Sequence, residues 1–259
     1  MEIQFAKYHG AGNDFILLDN RQGIYDELTD KQIQFLCDRR FGIGADGLIK
    51  INSHPTLDFE ADYYNADASK SFCGNGGRCA VAFANKLGID VSSTSFLGYD
   101  GLHDANLQDS LIHLGMNNVN SYKQFDKDYE VYTGSPHYIH FTSELSDFDM
   151  YNFGRTIRYN ETYKSEGINV NAVEILGENQ LFVRTYERGV EDETLACGTG
   201  VTAAAMAYCI NANKTGQQTI EIRVMGGNLK VKFDFDGQIF RNVWLIGEGT
   251  FVFEGTIHV

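Results

Sequence analysis

Two cysteines, each followed by a glycine-rich turn, are the residues of this sequence best suited to chemistry. Cys73 begins CGNG at 73–76 and Cys197 begins CGTG at 197–200, and an alanine-rich segment that favours a helix follows each. The first turn of a helix has unpaired backbone N–H groups and a partial positive charge. Each segment therefore predicts a carboxylate or phosphate site beside a cysteine whose pKa we expect below the free value of about 8.5.

Two such thiols can invert a stereocentre if they lie on opposite faces of one substrate. One thiolate removes the α-proton of an amino acid, and the other thiol returns a proton to the opposite face. Helix N-termini directed at the substrate carboxylate would stabilise the charge that develops. His137 and Glu187 are candidates for tuning the two sulfurs. The alternative is that both cysteines are buried residues beside ordinary turns, and the matched pair favours the chemical interpretation.

Composition narrows the class of protein. The chain has 259 residues, 43% of them hydrophobic and 22% charged, with a net charge of −14. This acidic balance argues against nucleic acid or an anionic membrane as the main partner. No segment has the length and apolarity of a membrane span, and the acidic start predicts no secretion signal. Five cysteines, an odd number, indicate a reducing cytoplasm rather than a disulfide scaffold.

The order of predicted elements repeats in the two halves. Each half contains a turn, a strand, a helix, two strands, a polar loop, a cysteine turn, a second helix and further strands. Residues 29–38 are predicted to be a helix with a Thr29–Gln32 capping box, and residues 147–158 its counterpart. The polar segment Asn117–Asp128 is predicted to link the first half of the chain to a second domain. The pattern predicts a duplicated α+β fold rather than a βαβ one.

Two apparent motifs are rejected on their context. Residues 42–47 match GxGxxG, but a predicted helix precedes them and a strand follows, the reverse of a dinucleotide site. We expect these glycines to shape a bend. His137 and His140 form HxxH on a predicted strand, where residues three apart face opposite ways, so we expect no metal site.

Eight segments spread along the chain match one known family. They are HGAGNDF at 9–15, FGIGADGL at 41–48, YNAD at 64–67, CGNGGRC at 73–79, GSPH at 134–137, INVN at 168–171, YERG at 186–189 and ACGTG at 196–200. On these segments the chain resembles the diaminopimelate epimerases. The resemblance implies an isomerase that interconverts LL- and meso-diaminopimelate for lysine and peptidoglycan precursors. It implies no cofactor, no metal and a cytoplasmic homodimer.

The resemblance also assigns roles to particular residues. Cys73 and Cys197 match the base and acid, and His137 and Glu187 match groups that poise the thiols. The matched substrate-binding positions are Asn13, Asn65, Gly74, Asn75, Asn169, Glu187, Arg188, Gly198 and Thr199. Of these, Gly74 with Asn75 and Gly198 with Thr199 would bind the substrate through their backbone N–H groups. The implied fold has two pseudo-symmetric domains, each a curled mixed sheet around a central helix, with the active site in the cleft between them. The first would comprise residues 1–117 and the strand 248–259, and the second residues 118–247.

Three positions depart from the family pattern. Gly47 stands where many members have a glutamine that touches the substrate. Ser135 replaces a frequent asparagine. The loop 65–73 is one residue shorter than usual and contains Ala-Ser-Lys at 68–70. Asn75 distinguishes the chain from proline racemases, in which we expect a histidine at that position.

Other functions stay open at this point. The nearest is the isomerisation of another amino acid on the same fold. A thiol–disulfide oxidoreductase would carry its cysteines as CxxC, which the sequence lacks. A non-catalytic binding module would be expected to have lost one of the two cysteines, and both are present.

Overall fold

A computed structural model describes residues 1–259, which form seventeen β-strands and four α-helices. The strands are β1 Glu2–Gly10, β2 Asn13–Asp19, β3 Gly47–Asn52, β4 Phe59–Asn65, β5 Thr94–Gly98, β6 Gly101–Gln108, β7 Leu111–Met116, β8 Tyr122–Phe125, β9 Asp128–Tyr132, β10 Pro136–Phe141, β11 Asn169–Gly177, β12 Gln180–Glu187, β13 Asp192–Thr194, β14 Gly216–Val224, β15 Gly227–Phe235, β16 Phe240–Gly247 and β17 Thr250–His258. The helices are α1 Asp30–Cys37, α2 Gly74–Lys86, α3 Met150–Arg158 and α4 Gly198–Asn211. None of the helices combines the length and apolar character needed to span a bilayer. The α+β class predicted from the sequence is confirmed.

The chain forms two compact units. Unit 1 comprises Met1–Leu114 and Gly247–Val259, and unit 2 comprises Gly115–Ile246.

Unit 1 is a mixed sheet with a helix on each face. Its strands pair in the order β17, β1, β2, β3, β4, β5, β6 and β7, and the β2–β3 and β4–β5 pairs are parallel while the others are antiparallel. Ten of the thirteen residues of α2 are buried, so this helix is central to the unit. Ile16 and Leu18 of β2 pack in a core with α1, whereas Phe15 lies beside Gly76 of α2. Alternate residues of one strand therefore serve opposite faces of the sheet.

Unit 2 repeats this plan. Its strands pair in the order β8, β9, β10, β11, β12, β14, β15 and β16, and the β10–β11 and β12–β14 pairs are parallel while the others are antiparallel. Eleven of the fourteen residues of α4 are buried, as expected of a helix that is apolar on all sides. The short strand β13 adds to the end of β12. On the other face, α3 packs in a core with β11 and β12.

The two units therefore share one topology. The series β1, β2, α1, β3, β4, α2, β5, β6, β7 of unit 1 corresponds in order and strand direction to β9, β10, α3, β11, β12, α4, β14, β15, β16 of unit 2. Cys73 and Cys197 stand at equivalent points, immediately before α2 and α4. The duplication predicted from the order of elements is confirmed.

Several local predictions can now be compared with the structure. Thr29 caps α1, and the Thr29–Gln32 capping box is present as predicted. Gly42 and Gly44 of the GxGxxG segment lie between α1 and β3, which confirms a bend, and Gly44 has a φ of +81°, whereas Gly47 is the first residue of β3. Two segments predicted only as polar connections contain strands: residues 117–128 contain β8, and the polar loop before Cys197 contains β13. The helix predicted over residues 147–158 is confirmed, but it begins at Met150 behind an Asp149 cap.

Candidate active site

Each of the two cysteines is the N-cap residue of a central helix. Cys73 precedes α2 with φ −130° and ψ 120°, and Cys197 precedes α4 with φ −123° and ψ 111°. Neither helix N-terminus has a side-chain cap. Both cysteines are free rather than disulfide-bonded, Cys73 half-buried and Cys197 buried. Each sulfur therefore lies at the positive end of a helix, as the sequence predicted.

Asn13 lies beside Cys73 in unit 1. Its Oδ1 is 3.5 Å from Cys73 Sγ and accepts a hydrogen bond from Asn75 Nδ2 at 3.2 Å. Its Nδ2 donates to Asp46 Oδ2 at 2.6 Å. The Asn75 amide is held in turn by the buried Arg78, whose Nη2 donates to Asn75 Oδ1 at 3.0 Å. The thiol of Cys73 thus has an amide oxygen as a neighbour.

A charged cluster supports Asn13 from behind. Arg39 bonds Asp46 at 2.6 Å and both carboxylate oxygens of Asp14, at 2.7 and 3.0 Å, while Lys7 pairs with Asp14 at 2.7 Å. Burial alone would raise the pKa of Asp14, but its hydrogen bonds and ion pairs with Arg39 and Lys7 outweigh burial and lower the pKa to about 2. The Asp14 carboxylate therefore remains ionised and helps to hold the first hairpin in place.

Two of the departures noted in the sequence, Gly47 and the short loop 65–73, lie next to Asn65 at the end of β4. Asn65 Nδ2 donates to the backbone O and the Oγ of Ser69, at 3.2 and 2.9 Å, and its Oδ1 accepts from the Tyr63 hydroxyl at 3.0 Å. A Cβ added at Gly47 would lie 2.4 Å from Tyr63 Cε2 and 2.6 Å from Tyr64 O. A side chain at residue 47 would require both the Tyr63 ring and the backbone carbonyl of Tyr64 to shift, so a glutamine there is sterically excluded in this arrangement.

His137 is the centre of a buried polar cluster in unit 2. Its Nε2 lies 2.9 Å from both Ser135 Oγ and Thr199 Oγ1, and its Nδ1 lies 3.1 Å from Asn171 Nδ2. Thr199 Oγ1 is 3.5 Å from Cys197 Sγ. Burial, together with the positive charge of Arg188, lowers the pKa of the imidazole to about 3. His137 is therefore a neutral ring linked to Cys197 through the hydroxyl of Thr199.

The remaining predicted residues of unit 2 lie around the end of β12. Asn169 Oδ1 accepts from the backbone N–H of Arg188 at 2.9 Å, and its Nδ2 donates to Ser135 Oγ at 3.2 Å and Pro136 O at 3.1 Å. Glu187 Oε2 accepts from Thr194 Oγ1 at 3.0 Å. The Arg188 guanidinium donates to Glu166 O at 3.0 Å. Asn169 is thus the first residue of β11, Glu187 is the last residue of β12, and Arg188 follows in the turn, where its backbone N–H bonds Asn169.

The structure brings the predicted residues into two sets, one in each unit. In unit 1 they are Asn13, Asn65, Cys73, Gly74 and Asn75, and in unit 2 His137, Asn169, Glu187, Arg188, Cys197, Gly198 and Thr199. His140, of the rejected HxxH, bonds Asp128 at 2.8 Å rather than any partner of His137. No group of three or more His, Cys, Asp or Glu side chains has an arrangement that could hold a metal ion.

Residues of these clusters that the sequence analysis did not single out include Asp46, Tyr63, Asn171 and Thr185, whose hydroxyl donates to Asn171 Oδ1 at 2.8 Å. For Asn171 there was a usable signal, because it follows Asn169 by two residues on β11 and therefore shares its face. Asn171 is fully buried, and a buried amide must find partners. The other three gave no signal of their own in the sequence.

Comparison with protein families gives one match that covers most of the chain. The family model described as diaminopimelate epimerase matches residues 5–101 and 129–251. A diaminopimelate epimerase of Flavobacterium psychrophilum is 49% identical over 257 residues, which cover 98% of this chain and 100% of that protein. A diaminopimelate epimerase of Chlorobaculum tepidum is 39% identical, with 96% of this chain and 98% of that protein covered.

Solved structures share the fold at low sequence identity. A PhzF-family phenazine biosynthesis protein of Bacillus anthracis superposes with a TM-score of 0.77 at 12% identity, with 100% of both chains covered. A hydroxyproline epimerase of Agrobacterium vitis superposes with a TM-score of 0.72 at 13% identity, with 99% of this chain and 92% of that one covered. These similarities establish the fold alone.

Proposed function

Because the chain belongs to the diaminopimelate epimerase family, we propose that it interconverts LL- and meso-diaminopimelate by proton transfer at the α-carbon. The observation that carries this proposal is the pair of equivalent cysteines, each the N-cap of a central helix in its own unit. The repeated topology supports it, because one duplicated element supplies both sulfurs. The reaction would serve lysine and peptidoglycan precursor synthesis.

In the proposed mechanism Cys73 and Cys197 act as a base and an acid. The thiolate of one takes the α-proton, and the thiol of the other gives its proton to the opposite face of the carbanion. One proton is removed and one is added, so the substrate changes only its configuration, and the two sulfurs exchange protonation states. The backbone N–H groups of Gly74, Asn75, Gly198 and Thr199 are proposed to receive the carboxylate of the reacting centre.

The distal amino-acid group of the substrate needs its own partners. We assign this role to Asn13, Asn65, Asn169, Glu187 and Arg188. A carboxylate and a guanidinium suit the ammonium and carboxylate of an amino acid. The proximity of Asn169, Glu187 and Arg188 at the end of β12 supports the assignment. In place of the absent glutamine at residue 47, we propose the hydroxyl of Tyr63, which bonds Asn65 Oδ1 at 3.0 Å.

We also propose that the protein works as a cytoplasmic homodimer whose two domains are units 1 and 2. Three apolar residues of β17, Phe251, Val252 and Phe253, are 43%, 49% and 45% exposed. An exposed apolar strand is a frequent site of pairing between copies of a chain. A second copy of this chain is the proposed occupant of that surface.

The function is tested by proton NMR of LL-diaminopimelate with reduced protein in D₂O. We expect the α-proton signal to disappear and the meso form to accumulate. Cys73→Ala and Cys197→Ala should each lower the rate at least about a hundredfold, because general acid–base groups typically contribute that much or more. Cys209→Ala is the matched control, since Cys209 is a buried free cysteine of α4 away from its N-terminus.

A second candidate is the epimerisation of another amino acid on the same fold. Gly47 and the short loop after β4 favour this second candidate, because both alter the surroundings of Asn65, one of the proposed substrate-binding residues. Reduced protein that leaves the α-proton of diaminopimelate unexchanged, but exchanges that of another amino acid in a panel, would replace the proposed substrate. Exchange without any substrate preference would contradict both candidates.

A further inference from the structure

We infer that Asn171 is a positioning residue: acting through His137 and Thr199, it directs a hydroxyl hydrogen at the sulfur of Cys197. The inference rests on the proposed function in one respect, that Cys197 is an acid–base group. It goes beyond that function because it assigns roles to Asn171 and Ser135 and identifies the donors that lead from them to the sulfur.

The orientation of the Asn171 amide follows from its backbone partner. Asn171 Nδ2 lies 3.1 Å from Tyr138 O, and a backbone carbonyl can only accept, so this end of the amide is the NH₂ group. The Oδ1 at the other end accepts from Thr185 Oγ1 at 2.8 Å. The second hydrogen of Nδ2 points to His137 Nδ1 at 3.1 Å. His137 Nδ1 is therefore an acceptor and carries no hydrogen.

This contact determines the tautomer of His137. The ring is fully buried, and its depressed pKa keeps it neutral at any ordinary pH. A neutral imidazole has one N–H group. Since Nδ1 accepts from Asn171, the hydrogen is on Nε2, which must donate to Thr199 Oγ1 or Ser135 Oγ, both 2.9 Å away.

Ser135 adds a second donor to the same hydroxyl. Asn169 Oδ1 accepts from the Arg188 backbone N–H and Asn169 Nδ2 donates to Pro136 O, so the Asn169 amide has one possible orientation. Its Nδ2 therefore donates to Ser135 Oγ at 3.2 Å. The hydrogen of Ser135 is left for Thr199 Oγ1, which is 3.2 Å away.

Thr199 thus receives hydrogen bonds and passes one on. His137 Nε2 and Ser135 Oγ both direct hydrogens into this site, so the Thr199 hydroxyl hydrogen is free to point at Cys197 Sγ, 3.5 Å away. A hydrogen bond donated to sulfur favours the thiolate over the thiol. Arg188 is the charged group that acts on His137. The hydrogen bonds that lead from Asn171 through His137 and Thr199 to Cys197, together called the relay, have no charged donor. The thiolate of Cys197 is therefore stabilised by a hydrogen bond from Thr199, whose hydroxyl is oriented by His137 and Ser135.

The tautomer is tested first, on unmodified protein, by two-dimensional ¹⁵N–¹H NMR of the histidine side chains. His137 is assigned from the spectrum of His137→Gln. We expect its ring to give the pattern of an Nε2–H imidazole that does not titrate between pH 6 and pH 9. An Nδ1–H pattern, or a ring that protonates in this range, would overturn the inference without any further variant.

The effect on sulfur is tested by alkylation with iodoacetamide across a pH series, with Cys197 and Cys73 read separately by peptide mass spectrometry. Thr199→Val and Asn171→Leu should raise the apparent pKa of Cys197 by about one unit, which means roughly tenfold slower alkylation near neutral pH. Thr199→Ser retains the hydroxyl and should recover the wild-type profile. An unchanged Cys197 profile in Thr199→Val, or an equal rise at Cys73, would contradict the relay.

These measurements use no substrate, so they separate the inference from the proposed function. If the protein shows the expected tautomer and alkylation profiles but does not epimerise diaminopimelate, the inference about the relay stands and the proposed function is wrong. Protein that epimerises diaminopimelate but shows the same Cys197 profile in Thr199→Val would retain the function and lose the relay.

Discussion

The two sulfurs have neighbours of opposite hydrogen-bonding character. Beside Cys73, the Asn13 amide has its nitrogen fixed on the Asp46 carboxylate, and so its oxygen faces the thiol. Beside Cys197 the neighbour is the Thr199 hydroxyl. An amide oxygen accepts from S–H and favours the protonated form, whereas a donated hydroxyl favours the thiolate. Although the backbone is duplicated, the two positions differ in chemistry.

Asp46 fixes the nitrogen end of the Asn13 amide, and Asn75 Nδ2 donates to its oxygen end. Asp46→Asn removes the charged contact, so the Asn13 amide can turn over and present its NH₂ group to Cys73 at the loss of one neutral hydrogen bond from Asn75. We expect the apparent pKa of Cys73 to fall by about one unit, the opposite sign to Thr199→Val at Cys197. Alkylation of Cys73 across a pH series, read by peptide mass spectrometry, measures this shift.

Asp62→Asn is a matched control for that experiment. Asp62 is also an aspartate of unit 1 in an ion pair, with Lys70 at 2.7 Å, but it has no bond to Asn13. It should lower stability without moving the Cys73 profile. A similar shift in both variants would mean that the charge of unit 1, rather than the Asn13 amide, controls the thiol.

What the sequence revealed about single residues was their type, not their connections. Cys73 and Cys197 stood out because they repeat before glycines. Asp46 and Thr185 gave no such signal, because their roles come from contacts that the fold creates between separate strands. Gly47 was noticed as a departure, but its cause, the ring of Tyr63 in the space of a side chain, requires the register of β3 against β4.

The first turns of α2 and α4 approach their sheets to different degrees. A Cβ at Gly200 would lie 2.4 Å from Asn171 Oδ1, whereas one at the equivalent Gly76 would meet Ile49 Cδ1 at 3.3 Å. An amide held by three hydrogen bonds cannot move aside, but the end of an isoleucine side chain can. Gly200→Ala should therefore lower the free energy of unfolding by about 1–3 kcal/mol, the usual cost of overpacking.

Gly76→Ala is the comparison at the equivalent helix position. We expect it to cost less than Gly200→Ala, because only a flexible methyl must shift. Urea titration followed by circular dichroism measures both unfolding free energies. Equal losses would mean that the helix N-terminus itself requires glycine, whatever lies opposite.

Elements with strong local signals were predicted well, and those without were not. The helix α1 followed from its capping box and the spacing of Ile33 and Leu36, because both act within one turn of helix. The strand β13 consists of Asp-Glu-Thr, which has no apolar alternation, and it is held by pairing with β12 and by the Arg184–Glu193 ion pair at 2.6 Å. Such strands depend on the partner, so the local sequence does not reveal them.

For the molecule as a whole, the proposed dimer makes a prediction about β17. Val252→Lys places a charge on its exposed apolar surface, and we expect the protein to sediment as a monomer in analytical ultracentrifugation while the wild type sediments as a dimer. Burying an unpaired charge at an interface is costly, which is the reason for the expected dissociation. Circular dichroism would confirm that the variant is folded.

Ile175→Lys in unit 2 is the matched control for the dimer. Ile175 is 43% exposed, close to the 49% of Val252, and it also lies on a strand. It should leave the sedimentation of the wild type unchanged. A wild-type protein that is monomeric at micromolar concentration would refute the dimer and leave the catalytic proposal untouched.

The pairing of β1 with β17 has a consequence for how the protein is made. The register runs from Glu2 opposite His258 to His9 opposite Thr250. The partner of β1 is therefore β17, which is synthesised only after the whole of unit 2. At about 5–20 residues per second, a ribosome would leave that edge of the nascent sheet open for on the order of ten seconds. An open edge is a template for unwanted pairing. Unit 2 ends at Ile246 and β17 begins at Thr250, so the sheet of unit 1 can close only after the whole of unit 2 has been synthesised.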